Sequence, residues 1–387
     1  MIAESQLEQI KNVIQDCNLN FLLGSGLSSP YLKTLGNIET LLSDIEALDL
    51  AAPTRQILQC SIYKHYFDGV MAKNLEVLDA AAPCSATLSD YKSFLKILNT
   101  TLLRRRSTLL GKEVNLFTTN IDVFIEKAIE DIGLEFNDGF NGRFKPSFSL
   151  SNFHKTRSKR SLHFDNVSEI PVFNLLKLHG SLTWRLQGDK AIVFSPDLGH
   201  VAEAVQIVFP AGTLVAIEKE STAETLKTAA EGIKVHDSVT SFISAYEELL
   251  IVNPTKDKFK HTILNYTYYE LLRIFSNELE KDNTALFVMG FSFADEHIRE
   301  IVLRAANSNP TLLVYIIAHS TSSSTGIRER FGAASIKNAN ILFIEPPPEI
   351  GDTQSRFDFS TINRELFGKL FSKDAPLPTS DDEEAGP

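Results

Sequence analysis

The sequence predicts an α/β fold: a doubly wound, mostly parallel Rossmann-like sheet with a helical insertion and a smaller mixed insertion. Three observations predict it. Six short segments are apolar almost throughout, as strands covered on both faces must be. Stretches of helical period separate them, the alternation that parallel strands with crossovers produce. The residues just after the apolar segments are small or polar, although a plain turn needs only a glycine or a proline.

SQLE at Ser5–Glu8 has capping-box spacing and opens a helix to about Cys17. LNFLL (Leu19–Leu23) is the first strand and runs into Gly24-Ser25-Gly26. From Ile38 to about Leu110 the period is helical, through ETLLSDIEAL, RQILQCSIYKHYFDGVMA and DYKSFLKILNTTLLRRRSTLL. VNLF (Val114–Phe117) is the next strand, and a helix follows from about Asp122 to Ile132. Residues 138–170 are polar and loop-like. VFNLLKLHG (Val172–Gly180) is a strand, and LTWRLQGDKAIVFS (Leu182–Ser195) alternates around QGDK as a hairpin does. Residues 196–235 fit helix and strand equally. Helices return near 238–251 and 258–281, then ALFVMG, ADEHIREIVLRAA, TLLVYIIA, GIRERFG and NILFIE alternate strand with helix, and a short helix lies near 361–371. The tail DAPLPTSDDEEAGP has a disordered composition.

These elements divide the chain into a core (1–37, 111–137 and 171–345, with a mixed insertion at about 185–255), a helical insertion (38–110), a polar loop region (138–170) and a C-terminal helix with an acidic tail (346–387). Net charge is −11, so general phosphate binding over the surface is not expected, and no direct nucleic-acid binding is expected. RRR at Arg104–Arg106 and HKTRSKR at His154–Arg160 read as solvated faces. Three cysteines, Cys17, Cys60 and Cys84, cannot supply a four-cysteine zinc site or a disulfide framework, and no metal is expected. No apolar run is long enough for a membrane span, and a cytoplasmic protein is expected.

Sheets of this kind bind ligands at the carboxyl ends of their strands. Those ends carry Gly24, Ser25, Gly26 and Ser28; Thr118, Asn120 and Asp122; His179; Gly290, Ser292 and Asp295; and His319. Glycines let amides approach a phosphate, and a strand-end histidine can act as a general base. Each has a plainer reading as well: GSG as a tight turn, His179 as a structural residue, and Asn120, Asp122 or Asp295 as helix caps. The dehydrogenase pattern GxGxxG is incomplete, because Ser29 stands at its third glycine, and no GxxxxGK[ST] loop occurs.

GSGLS, TTNID, KLHGS and a late Gly-x-Ser loop, in that order, resemble the GAGxS, TQNxD, HGS and GTS elements of the sirtuin fold. Gly290–Ile298 reads GFSFADEHI, which resembles the GFSFxDxHI loop of sirtuin-like NAD-cleaving effectors in prokaryotic antiviral defence. The likeness spans about residues 19–345. The size of the chain is similar to that of the sirtuin-like subunit that pairs with a HerA-type ATPase. Deacylases of the family carry two CxxC pairs and a GxPxFR-type segment; this chain has neither, and Thr119 replaces the usual Gln.

The resemblance implies hydrolysis of NAD⁺, as substrate, to nicotinamide and ADP-ribose. Asn120 would position the ribose or the water, His179 would take a proton, and Asp122 would orient the loop or stabilise charge. Gly24, Ser25 and Gly26 would hold the pyrophosphate. Ser28, Thr118, Gly290 and His319 would help line the site, with Ser292 and Asp295 on the adenosine side. It also implies a homo-oligomer, a HerA-like ATPase partner and NAD depletion in antiphage defence. A sensor that binds NAD or ADP-ribose without cleaving it is the alternative; a protein deacylase fits less well.

Overall fold

The computed structural model describes residues 4–105, 110–163, 165–188, 191–253, 262–332, 337–346 and 356–371. Its centre is a seven-stranded sheet of β1 (Asn18–Leu23), β2 (Glu113–Thr118), β3 (Phe136–Asn137), β4 (Val172–Lys177), β5 (Thr284–Met289), β6 (Leu313–Ile317) and β7 (Ile341–Ile344), in the order β7-β6-β5-β1-β2-β4-β3. Every pairing in it is parallel. The doubly wound α/β sheet expected from the apolar segments is therefore present. Strand order reverses between β1 and β5, the position where such sheets open a ligand crevice.

Both faces are covered, which is why the strands are apolar at successive positions. Phe21, Leu23, Leu116, Phe287 and Tyr315 join one core, under the helical insertion. Leu22, Phe117, Leu176, Val288 and Ile316 join the other, under helices Thr262–Glu280 and Glu296–Ser308. Within the insertion, helix Ala52–Tyr66 runs into a π turn at Phe67–Met71.

Residues 196–235, ambiguous in sequence, contain helices Gly199–Val205 and Ala223–Ala230. Together with helix Asp237–Glu247 they fold onto the helical insertion, where Tyr246 stacks on Tyr63 with ring centres 4.1 Å apart. The hairpin forms as Trp184–Gln187 against Ala191–Phe194. The expected loop region is partly β. Phe140–Asn141 and Ser147–Phe148 extend that hairpin to a four-stranded sheet, and Arg157–Arg160 pairs with Val167–Ile170. Ser5 lies inside helix Glu4–Asp16 rather than capping it. The acidic tail from residue 372 and Arg106 lie outside the described residues.

Arg105 corrects the reading of RRR as a solvated face. It is buried, and its guanidinium donates to the carbonyls of Ile14, Cys17 and Gly111 at 2.9, 2.7 and 3.0 Å, tying the end of the insertion to the start of β1.

An amide row crosses the amino-terminal half of the sheet. Asn20, Asn115, Asn174 and Asn137 stand in register on β1, β2, β4 and β3. Asn115 donates to Asn20 at 2.9 Å and Asn174 donates to Asn115 at 2.9 Å, while Asn115 also reaches the buried Glu278 at 3.2 Å. A slip of one residue would turn the asparagines on that strand into the opposite, apolar core, so the row helps fix register.

The C-terminal segment packs on helix Ser85–Leu103, with Phe359 and Phe367 against Phe94. Burial beside this contact, reinforced by the Asp358 carboxylate, pushes the Asp90 carboxyl up to about 6 from an ordinary 3.8. A carboxyl whose folded-state pKa is raised favours folding at low pH, and that contribution is lost as pH rises from about 4 to about 6. Asp90→Asn is accordingly expected to raise Tm at pH 7.5 and to leave it nearly unchanged at pH 3.5. Thermal melts across that range check it; an equal gain at both pH values would contradict it.

Candidate active site

The ends of β1, β2, β4 and β5 bring most of the sequence-marked residues to one edge of the sheet, in two polar groups. The first lies on the face covered by the helical insertion. Ser28 donates to Asp122 Oδ2 at 2.7 Å. Having used its one proton there, Ser28 Oγ accepts from the Tyr91 hydroxyl (3.0 Å) and from Asn120 Nδ2 (3.4 Å). Asn120 Nδ2 also donates to the Gly24 carbonyl at 3.2 Å. Asp122 Oδ1 accepts from the Phe124 amide at 3.3 Å, a local turn bond made one residue ahead of Val123, the N-cap of helix Phe124–Asp131, which has no side-chain cap of its own. Neither Asn120 nor Asp122 occupies the N-cap position, and the side-chain bonds of Asn120 go to Gly24 and Ser28 instead.

Asn120 is 5% exposed, and its Oδ1 is buried without a partner. An unpaired buried acceptor costs about 1–3 kcal/mol; Asn174, Asn340 and Asn363 leave the same oxygen unmet, so what sets Asn120 apart is its place at a strand end. Its Oδ1 is an oxygen awaiting a donor, at the end of the strand next to the switch point.

Lys177 holds this loop from below. It is 4% exposed and ion-pairs with Glu126 at 3.0 Å. Its ammonium also donates to the backbone carbonyls of Asn120 (3.2 Å) and Asp122. Burial raises the Glu126 carboxyl, and Lys177 pulls it back. Thr118 is fully buried and structural: its hydroxyl donates to the Leu23 carbonyl at 2.8 Å and accepts from the Asn120 amide at 3.0 Å.

The second group lies on the opposite face. His179 Nε2 is 3.1 Å from Asp295 Oδ2, out of line for a hydrogen bond. Asp295 Oδ1 accepts from the Ile298 amide at 3.1 Å and caps helix Glu296–Ser308, which is the capping reading of this residue. His179 follows β4 and Asp295 follows β5, with β1 and β2 between those strands. The pair therefore reaches across the ends of the two central strands. Among the described residues no hydrogen bond or ion pair links His179 with Asn120 or Asp122. The loops themselves are joined, Leu178 N to Thr118 O at 2.8 Å and Leu182 N to Ile121 O at 3.1 Å.

The glycine loop has a physical reason of its own. A Cβ on Gly24 would lie 2.3 Å from the Gly290 carbonyl oxygen, so the loops after β1 and β5 approach backbone to backbone. The Gly24 amide donates to Met289 O (2.9 Å) and the Gly26 amide to Gly290 O (3.0 Å), which leaves neither free for a phosphate in this arrangement. Ser25 is exposed. Ser292 is exposed, with its carbonyl held by Arg330 at 2.9 Å, and His319 is exposed at the end of β6.

Lys177 and Tyr91 were not marked by sequence. The signal for Lys177 is a charge inside an apolar strand, LLKL; Tyr91 offers none within its helix. Two cavities, of about 520 and 310 Å³, lie elsewhere, and neither is lined by Asn120 or His179. Among the described residues no three His, Cys, Asp or Glu side chains are placed to hold a metal, and no helix is long and apolar enough to cross a membrane. Comparison of the chain with protein-family models and with curated proteins gives no match.

Proposed function

We propose that the chain is an NAD⁺ glycohydrolase acting at this sheet edge. The observation that carries the reading is the unpartnered, buried Asn120 Oδ1 beside the β1/β5 switch point, within the motif TTNID. Asn120 orients the nicotinamide ribose or the incoming water. Water oxygen replaces the nicotinamide nitrogen at the ribose carbon, through an oxocarbenium-like state, and His179 takes the proton. Asp122 and Lys177 hold the Asn120 loop in place. The test is incubation of the purified chain with NAD⁺ and chromatography for nicotinamide and ADP-ribose.

Regulation by assembly belongs to the same proposal. Loops engaged with one another, and a histidine beside Asp295, describe a resting site. Homo-oligomerisation and docking of a HerA-like ATPase would open it, in a defence that depletes NAD on infection. Low turnover alone and a marked rise with the partner are expected; full activity in a dilute, partner-free monomer would contradict this.

Asp295 gives a sharper test of His179. Asparagine is a good N-cap, so Asp295→Asn keeps the helix start, while Asp295→Ala loses it at a cost of about 1 kcal/mol. If the carboxylate orients the imidazole, both variants lower kcat roughly tenfold or more with KM little changed. If Asp295 only caps, the asparagine variant keeps wild-type kcat.

A second reading, NAD or ADP-ribose binding without cleavage, draws on the separation of His179 from Asn120. Saturable NAD⁺ binding with no products, with the partner present, would select it.

A further inference from the structure

The 310 Å³ cavity lies on the helical insertion, and none of the strand-end site residues lines it. Three segments distant in sequence line it: 33–38, 65–70 and 217–219. They bring two cations, Lys33 and Lys219, and the imidazole of His65 together with the acid Glu218. In a chain of net charge −11 this is a local reversal of sign. Neither lysine side chain forms a hydrogen bond or ion pair with any described residue. Asp68, the acid next along the π turn, is already engaged by Lys64 at 2.5 Å.

The wall explains how the charges come together. The π turn at Phe67–Met71 adds a residue to the helical course, a distortion often found at functional positions. It presents Gly69, whose missing side chain makes room for Lys33: a Cβ there would lie 2.9 Å from Lys33 Cδ. The Gly69 carbonyl accepts from the Lys33 amide at 3.1 Å. Helix Ile38–Ala47 begins at the cavity, and its first turn adds positive potential. Burial and then the neighbouring Lys33 lower the His65 pKa, so the imidazole is held neutral beside the lysines.

We infer that this cavity binds a small phosphorylated anion, of about mononucleotide size. Its volume is at the lower end for ligand pockets, and two converging lysine ammoniums beside a neutral imidazole that can donate one hydrogen bond suit a phosphate group. The inference stands apart from NAD⁺ cleavage, since none of the catalytic candidates lines the cavity. It does carry a route to them. Tyr66, in the wall, has its phenol raised by burial and then by the Asp122 carboxylate, and segment 33–38 follows Ser28 by a few residues.

The experiment is calorimetric titration of the full chain with inorganic pyrophosphate and, separately, with AMP, at two salt concentrations. Lys33→Met with Lys219→Met keeps the aliphatic stems, including the one that packs on Gly69, and removes the charges. Lys227→Met, on helix Ala223–Ala230 and outside the cavity lining, is the control. Saturable one-to-one binding, weakened by salt, at least tenfold weaker in the double variant and unchanged in the control, is expected for at least one probe. A matching rise in Tm with that probe, lost in the double variant, gives a second readout. No saturable binding of either probe, or equal binding by the double variant, would overturn the inference. Equal weakening by the control would overturn it too, because that is general surface attraction.

Discussion

Asn120→Ala is expected to lower partner-activated NAD⁺ turnover at least roughly a hundredfold, the cost of a misplaced reacting group, while the fold survives. Stability should change little for a stated reason. The variant loses two hydrogen bonds, to Gly24 O and Ser28 Oγ, but it also removes the orphaned Oδ1 that the native fold leaves unpaired. Two lost bonds at about 1 kcal/mol each stand against about 1–3 kcal/mol regained from the orphaned oxygen, so the two sides offset. The start of helix Phe124–Asp131 is untouched, because the Asn120 side chain makes no bond to it. Turnover and thermal melts on the same preparation decide the matter. Retained turnover with a lowered Tm would make Asn120 a structural amide and remove the observation on which the glycohydrolase reading rests.

Lys177→Met is expected to cost about 3–5 kcal/mol of folding free energy, the largest effect on stability foreseen here. Methionine fills most of the volume, so packing is not the source. The loss comes from Glu126, left buried with no counter-charge, and from two loop carbonyls that lose their donor. Denaturant unfolding should show a lower midpoint with an unchanged slope. Adding Glu126→Gln should recover a good part of the loss, since removing both charges ends the imbalance. A single variant within 1 kcal/mol of wild type would mean that water already reaches Glu126.

The central strands were legible because burial on both faces leaves a plain mark: LNFLL, VNLF and ALFVMG have no alternation to misread. The strand-end residues followed from the fold class, since parallel sheets place their ligand edge at those positions. Other features were hidden for physical reasons. β3 has two residues, too few to carry a period. The 138–170 strands are short and half-exposed, so their phenylalanines look scattered. Arg105 stands between two other arginines, and sequence cannot say which of three turns inward. The asparagine row left a trace: Asn-Phe-Leu-Leu, Asn-Leu-Phe-Thr and Asn-Leu-Leu-Lys place one amide at the same depth in β1, β2 and β4. The separation of His179 from Asn120 depends on which sheet face each loop leaves, and that is decided by packing.

The position of β1 at the middle of the sheet has a consequence for how the protein is made. β1 leaves the ribosome first of the seven strands, yet one of its two neighbours is β5, whose Thr284 pairs with Asn18. At about 5–20 residues per second, synthesis keeps that edge waiting on the order of ten to fifty seconds. Throughout that time an apolar strand offers open backbone groups to any passing chain. The nascent protein is therefore a natural client for chaperones that shield such edges. A chain stopped at residue 281 should be recovered aggregated or chaperone-bound, even though it already contains β1, β2, β4 and the whole helical insertion.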